Sequence, residues 1–156
     1  MLNIRSELLF FGLLAFATPL GALRADSEPA TDIYELRHHE YEKLGDAFKT
    51  IRDQLNKDTP DASALRSSAK VAKDASVNQY KWFPAGSGTK AHPKTRAKGE
   101  IWSKPAEFEA AQKSFASEAA KFETLAQGSD MTALRAQFRV LGRACKGCHD
   151  SFRIPD

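Results

Sequence analysis

Apolar side chains recur at helical spacing in the first half of the chain. Between Ile33 and Leu55 they return every three or four residues, which is the repeat of one face of an α-helix. A proline in the segment 59–61 breaks this pattern. A weaker pattern follows over 62–80, where Ala and Ser are common and their small side chains suit close contact with another helix. The first half therefore predicts two helices.

The second half of the chain predicts two further helices. Over 106–125 aromatic and aliphatic residues again fall on one helical face, and a Gly-Ser-Asp turn ends the pattern. Either Ser129 or Asp130 is expected to cap the last helix, whose apolar positions over 134–152 alternate in steps of three and four. No segment has the alternation of a strand, so we predict an all-α fold, an antiparallel four-helix bundle.

A long crossover separates the two predicted helix pairs. Proline and glycine are so frequent over 82–105 that no regular element is expected there. Long loops in compact domains are usually functional or disordered. Large apolar side chains argue against disorder because they should be buried. The crossover carries four of them: Trp82, Phe83, Ile101 and Trp102.

The N-terminus has the layout of a secretory signal. A basic Arg5 precedes an apolar run over 8–20, and small residues follow it. The run is shorter than the ~20 residues that cross a bilayer, which favours a cleaved signal over a permanent anchor. We therefore predict a signal peptide over 1–25, cleaved after Ala25.

The exported part, 26–156, is long enough for one domain and too short for two. Cleavage after Ala22 is the alternative boundary. An uncleaved membrane anchor is the other alternative, because Glu7 is unusual in a signal. We expect a periplasmic protein.

The charge of the chain gives no support to nucleic-acid binding. Cleavage after Ala25 removes Arg5, Arg24 and Glu7, which lowers the formal net charge from +3 to +2. Acidic residues are interleaved with the basic ones along the helices, as on a solvated face. Four basic residues of the crossover form either a solvated loop or a docking surface for an acidic partner: Lys90, Lys94, Arg96 and Lys98.

The last helix contains the chain's chemical motif. Residues 145–149 read Cys-Lys-Gly-Cys-His, which matches C-x-x-C-H, the c-type haem attachment sequence. Helix positions three apart face the same way, so Cys145 and Cys148 can reach the two vinyl-derived carbons on one haem edge. His149 then lies under the iron. We predict one covalent haem c with His149 as the proximal axial ligand.

Other roles for the cysteine pair fit the sequence less well. A dithiol redox motif normally opens a helix after a strand, whereas this pair lies near the end of a helix. A zinc site usually needs a second cysteine pair, and the chain has only two cysteines. A disulfide within one helical turn is sterically awkward and leaves His149 without a role.

With this motif at the end of a four-helix pattern, the chain resembles the class II c-type cytochromes, the cytochrome c prime family. The resemblance covers roughly residues 31–153. Beyond CKGCH it rests on FPAGSG over 83–88, on AKGEIWSKPAEF over 97–108, and on Arg37 before the core stretch of the first helix. It implies a bundle that holds haem between its helices.

The resemblance also implies roles for individual residues. Arg37 and Trp102 are expected near the haem, and Arg153 one turn beyond His149. Family members often pair through their first two helices, so a homodimer is expected as well.

The distal ligand is the open question. The resemblance implies that low-spin members offer a methionine four residues after the arginine, and here Tyr41 holds that position. Met131 lies 18 residues before His149, about 27 Å along the same helix, and Met1 is lost with the signal. Neither methionine reaches the distal side.

Helical phase places Tyr41 toward the core. A neutral phenol is a poor iron ligand, and an apolar pocket disfavours its deprotonation. We therefore predict a five-coordinate, high-spin iron with Tyr41 packed over the sixth position. His38, about 60° to the other side, is the alternative sixth ligand, whereas His39 points away. His92 is expected at the surface, with a haem propionate contact as the alternative.

Two functions fit these features. The first is electron transfer with a periplasmic redox partner protein, at a potential below that of His/Met cytochromes. The second is binding of a small gas such as nitric oxide or carbon monoxide at the sixth position. We do not predict an enzyme, because peroxidase-like turnover needs a distal acid–base group and only His38 could serve.

Overall fold

The structure, a computed structural model, describes residues 30–155, with side chains from Ile33 onward. The predicted signal peptide over 1–25 and both of its cleavage sites lie outside the described residues. Five α-helices and one 3-10 turn make up the described part: α1 (Ala30–Leu55), α2 (Ala62–Asn78), the 3-10 turn (Gln79–Lys81), α3 (Glu100–Ser103), α4 (Pro105–Ala126) and α5 (Met131–Phe152).

The four long helices α1, α2, α4 and α5 form the predicted antiparallel bundle. α2 packs against both α1 and α4, and α4 packs against α5. The predicted boundaries are close to those observed, with two differences. The second helix ends at Asn78 and continues as the 3-10 turn, and the crossover contains the four-residue α3.

Local sequence signals set the ends of three helices. The carboxylate of Asp61 accepts hydrogen bonds from the first backbone N–H groups of α2, at 2.8 Å from Ser63. Asp130 is the N-cap of α5 and accepts from the backbone N–H of Ala133 at 2.9 Å. Pro105 stands in the first turn of α4, where its missing N–H costs no helical hydrogen bond.

The main core lies toward one end of the bundle and takes residues from all four long helices. Three small residues on the inner face of α2, Ala69, Ala72 and Ser76, are at 0% exposure, which lets α2 lie close to its neighbours. Phe48 of α1 and Phe138 of α5 pack with ring centroids 5.7 Å apart. This core closes the bundle at that end: Ile51, Leu55, Leu65, Ala69, Phe115, Ala119, Phe122, Ala126, Leu134 and Leu141.

A second, smaller apolar cluster joins the crossover to the ends of α4 and α5, and we call it the crossover cluster. It consists of Ala97, Ile101, Phe108 and Phe152. The end of the crossover is also fastened to the end of α5 by backbone pairing, since Ala97 and Arg153 form an isolated bridge. Between residues 30 and 155, no helix combines the length and the apolar composition needed to cross a membrane.

We expect Phe122→Ala to lower the free energy of unfolding by about 3–5 kcal/mol, the usual cost of removing a buried phenylalanine. The Phe122 side chain is 0% exposed and packs on the ring of Phe138 at 5.8 Å, so its loss leaves a cavity in the main core. Urea denaturation followed by circular dichroism measures the change.

Val77→Ala is the matched control. This α2 residue is 53% exposed, so we expect a change within about 0.5 kcal/mol. Similar decreases in the free energy of unfolding for the two variants would contradict the position of the main core.

Candidate functional site

A cavity of about 560 Å³ lies between α1, α4, α5 and the crossover. Its wall is mostly apolar and aromatic, as in typical sites for small ligands and cofactors. α1 contributes Tyr34 through Phe48 on one side, and the end of α5 contributes both cysteines on another. The main core closes the bundle at one end, and this cavity lies where α1, α4 and α5 are instead separated.

Cys145 and Cys148 lie three positions apart on α5, and both line the cavity. Both are free thiols and half-buried. Cys145 packs against the main core and Cys148 against the crossover cluster, so the pair extends along the cavity wall. Burial raises the pKa of Cys145 to about 11 and also raises the pKa of Cys148. Both sulfurs are therefore neutral at neutral pH and fit an apolar wall.

His149 lies at the lip of the same wall, directly after Cys148. Its pKa is lowered, first by burial and then by the positive charges of Arg153 and Arg96, while Asp150 opposes the shift. The neutral imidazole is the form that coordinates metals. Arg153, predicted one turn beyond His149, lines the cavity as well, and its backbone N–H donates to the His149 carbonyl at 3.0 Å.

Arg37 lines the cavity and also fastens α1 to the crossover. Its guanidinium is buried and donates to the Trp82 carbonyl at 3.1 Å, to the Ser87 carbonyl at 3.0 Å and to the Thr95 hydroxyl at 2.9 Å. The guanidinium carbon lies 4.8 Å from the centre of the Phe83 ring. Burial lowers its pKa, yet arginine stays charged at any ordinary pH. The sequence indicated the position of Arg37 but not this role.

Trp102, the other predicted neighbour of the haem, is not among the residues that line the cavity. Its indole N–H donates to the carbonyls of Phe83, at 3.2 Å, and of Pro84, at 3.0 Å. A Cβ added at Gly88 would lie 2.9 Å from the indole ring, so only glycine fits beneath it. Trp102 therefore lies behind the cavity wall, where its hydrogen bond to the Phe83 carbonyl helps to hold Phe83 in that wall.

Tyr41 faces the cavity from α1, as helical phase predicts. Its hydroxyl donates to Gln79 Oε1 at 3.4 Å, and its ring meets the edge of the Trp82 ring at 5.0 Å and 84°. Burial raises the pKa of the phenol well above its usual value, the two cysteines add to the rise, and Arg37 opposes it. The hydroxyl is therefore neutral at any ordinary pH.

His38 lies at the edge of the cavity. Its side chain is 56% exposed, and Nε2 lies 3.4 Å from a carboxylate oxygen of Glu42. The imidazole also stacks parallel to the Tyr34 ring at 6.0 Å. The His38 imidazole is thus in contact with Glu42 and solvent as well as with the edge of the cavity. His39 is exposed on the outer face of α1.

The expectation that His92 is a surface residue is wrong. It is 8% exposed and also stacks on the Tyr34 ring, with ring centroids 5.1 Å apart. Its backbone N–H donates to the Gly88 carbonyl at 3.0 Å, and this turn of the crossover places His92 against the Tyr34 ring. Nε2 is buried without a hydrogen-bond partner among the described residues, and His92 does not line the cavity. The alternative, a contact between His92 and a haem propionate, stays a prediction.

The charged side chains of the cavity wall are all basic among the described residues: Arg37, Lys94, Arg96 and Arg153. Arg96 donates to the Ile154 carbonyl at 3.0 and 2.7 Å, and Lys98 donates to the Asp150 carbonyl at 2.9 Å. A haem has an apolar ring and two anionic propionates. An apolar cavity with cationic side chains, two thiols and a neutral imidazole fits that group.

Sequence analysis missed two glutamines in the cavity wall. Gln79 and Gln112 are both 4% exposed. Gln112 lies on the core face of α4, between Phe108 and Phe115, so its helical phase could have revealed it. Gln79 lies in the 3-10 turn, where no periodic signal exists.

Comparisons with known proteins agree with this site. The family model described as Cytochrome C' matches residues 32–153. Cytochrome c-554 of Cereibacter sphaeroides is 34% identical over 95% of both chains. A cytochrome c' of Alcaligenes xylosoxydans xylosoxydans is 34% identical over 60% of this chain and 69% of its own.

Solved structures give the same result. Cytochrome c prime from Shewanella frigidimarina superposes with a TM-score of 0.74 at 27% identity, over 83% of this chain and all of that one. A nitric oxide complex of a cytochrome c prime variant from Alcaligenes xylosoxidans gives 0.74 at 26% identity, over 84% and 100%. Because the family match extends over nearly the whole described chain, this protein belongs to the cytochrome c' family of monohaem c-type cytochromes and binds one covalent haem c.

Proposed function

We propose that this chain is a periplasmic electron-transfer cytochrome whose iron is five-coordinate and high-spin. The observation that carries the proposal is Tyr41, whose neutral, half-buried phenol faces the cavity from the α1 position where a methionine would make the iron six-coordinate. Met131 packs against the main core and does not line the cavity. The sequence over 1–25 supports export, as expected of a signal peptide.

The residues of α5 would hold the group. Cys145 and Cys148 would form the two thioethers, and the neutral His149 imidazole would ligate the iron. The bound haem supplies an iron centre that exchanges one electron and can accept a small ligand. Lys94, Arg96 and Arg153 line the cavity and would oppose the negative charge of the propionates. Phe83 and its neighbours would keep bulk water from the haem ring.

The basic residues beside the cavity support an acidic redox partner. Lys94 and Arg96 line the cavity, and Lys98 is held at the end of α5, so the positive charge of the crossover lies next to the haem site. Opposite charge on a partner would speed encounter and bring it close to the haem edge. A homodimer through α1 and α2 is also proposed. Exposed apolar side chains on these helices support it: Leu36 and Val71.

Gas binding is the second candidate, and the same phenol favours it. A distal wall made of a neutral phenol and apolar rings leaves the iron without a strong protein ligand and selects small, uncharged molecules. A relative of known structure is described as a nitric oxide complex, which shows that this fold accepts such a ligand in that protein. Peroxidase-like turnover stays disfavoured, because His38 is largely exposed and contacts Glu42.

We expect covalent haem attachment to depend on both cysteines. Changing either Cys145 or Cys148 to Ser should weaken attachment, and the double variant should abolish it, because each sulfur forms one thioether. Haem staining after denaturing electrophoresis and acid-acetone extraction measures the covalent fraction. Ser129→Ala leaves the motif intact and is the control. Haem that stays with the double variant through extraction would contradict the assignment.

We expect the ferrous protein to be high-spin and to bind carbon monoxide without displacing a protein ligand. Tyr41→Ala should open the distal side and speed carbon monoxide binding by about tenfold or more, since it removes a buried ring. His38→Ala should leave the spin state and the carbon monoxide binding rate nearly unchanged. Optical spectra give the spin state, and stopped-flow mixing with carbon monoxide gives the rate.

The alternative distal ligand predicts the opposite pattern. With His38 on the iron, the wild-type ferric spectrum would be low-spin, would survive Tyr41→Phe and would become high-spin on His38→Ala. That result would overturn the five-coordinate assignment and favour electron transfer over gas binding, because an occupied position resists new ligands.

A further inference from the structure

The distal wall contains one polar contact that neither proposed function uses. The Tyr41 hydroxyl donates to Gln79 Oε1 across 3.4 Å, between α1 and the 3-10 turn that follows α2. We propose that Gln79 is a positioning residue that latches Tyr41 over the distal side of the haem and thereby limits the rate at which small ligands enter. The proposal rests on the five-coordinate iron proposed above.

The amide of Gln79 is oriented by a second hydrogen bond. Its Nε2 donates to the Ser76 carbonyl at 3.2 Å. The amide nitrogen is therefore turned toward the last turn of α2, and the amide oxygen is the atom presented to Tyr41. A phenol hydroxyl is a good donor to such an oxygen. Gln79 is 4% exposed, so water has little access to compete for the contact.

The backbone of Gln79 is fixed on both sides. Its N–H donates to the Ala75 carbonyl as the C-cap of α2, and its carbonyl accepts from the Trp82 N–H at 3.0 Å. The side chain of Gln112 on α4 donates to the same carbonyl at 3.4 Å. The acceptor for Tyr41 is thus anchored to α2 and α4, whereas Tyr41 itself belongs to α1.

Within residues 33–155, the ring of Tyr41 has one other close aromatic neighbour. Trp82 meets it edge to face at 5.0 Å, and Phe83 lies farther away at 6.3 Å and 52°. A ring held by these contacts alone could swing about its side-chain torsions at less cost. The hydrogen bond to Gln79 adds a barrier to that swing, because moving the ring leaves the half-buried Tyr41 hydroxyl and the buried Gln79 amide oxygen without each other as partners.

Carbon monoxide binding to the ferrous holoprotein tests the latch. Gln79→Met keeps the side-chain length and removes the acceptor, and Tyr41→Phe keeps the ring and removes the donor. We expect each to raise the association rate about threefold to tenfold, the range that one net hydrogen bond corresponds to. The double variant should bind no faster than either single variant, because both remove the same hydrogen bond.

Gln137→Met is the matched control. Gln137 donates to the side chain of Glu118 at 2.6 Å and does not line the cavity. The variant therefore loses a side-chain hydrogen bond elsewhere in the bundle. Its association rate should equal that of the wild type. Optical spectra of all four variants establish that the haem is attached and high-spin.

Three outcomes overturn the latch. The first is a high-spin Gln79→Met protein that binds carbon monoxide at the wild-type rate. The second is a double variant whose effect on the rate is the product of the two single effects. Either result contradicts the latch and leaves the proposed function standing. A low-spin wild-type iron contradicts the proposed function and the latch together, so the spectrum separates the two failures.

Discussion

The buried guanidinium of Arg37 is the interaction on which the haem side of the molecule depends. A charge that leaves water is tolerated only when its hydrogen bonds are made. Here the accepting groups are the carbonyl and hydroxyl oxygens of residues 82, 87 and 95. These residues are spread over half of the crossover, so one side chain of α1 fixes a segment that lacks regular structure. The cavity keeps its shape because that segment is held.

The opposite end of the crossover is fixed in a different way. There the crossover cluster, the pairing of Ala97 with Arg153 and the bonds from Arg96 and Lys98 to carbonyls near the end of α5 hold it against the helix that carries the cysteines. The two attachments place the crossover across the cavity from α1 to α5. They also bring its positive charges to the place where the propionates of a bound haem and an acidic partner would meet.

The two walls of the cavity have different chemistry. The α5 wall offers neutral sulfurs and a neutral imidazole, which can bond to a haem and its iron without burying a net charge. The α1 wall offers a phenol that burial keeps protonated, supported by a glutamine and an indole. Groups that can bond to the haem on one side and a neutral phenol, a poor iron ligand, on the other are the arrangement expected of a protein whose iron either passes electrons or accepts a small ligand.

The sequence by itself determined the helical bundle, because apolar spacing and capping residues act over only a few positions. It also determined the covalent haem, since C-x-x-C-H depends only on the geometry of one helical turn. The core-facing position of Tyr41 followed in the same way from helical phase. Only the tertiary structure decided what surrounds the haem site. His92 proved buried because Tyr34, far away in sequence, packs on it, and Trp102 proved to act through Phe83. Arg37 as a clamp and Gln79 as the partner of Tyr41 depend on contacts between residues 38 or more positions apart. No local pattern records such contacts, because they exist only once the crossover has folded over the bundle.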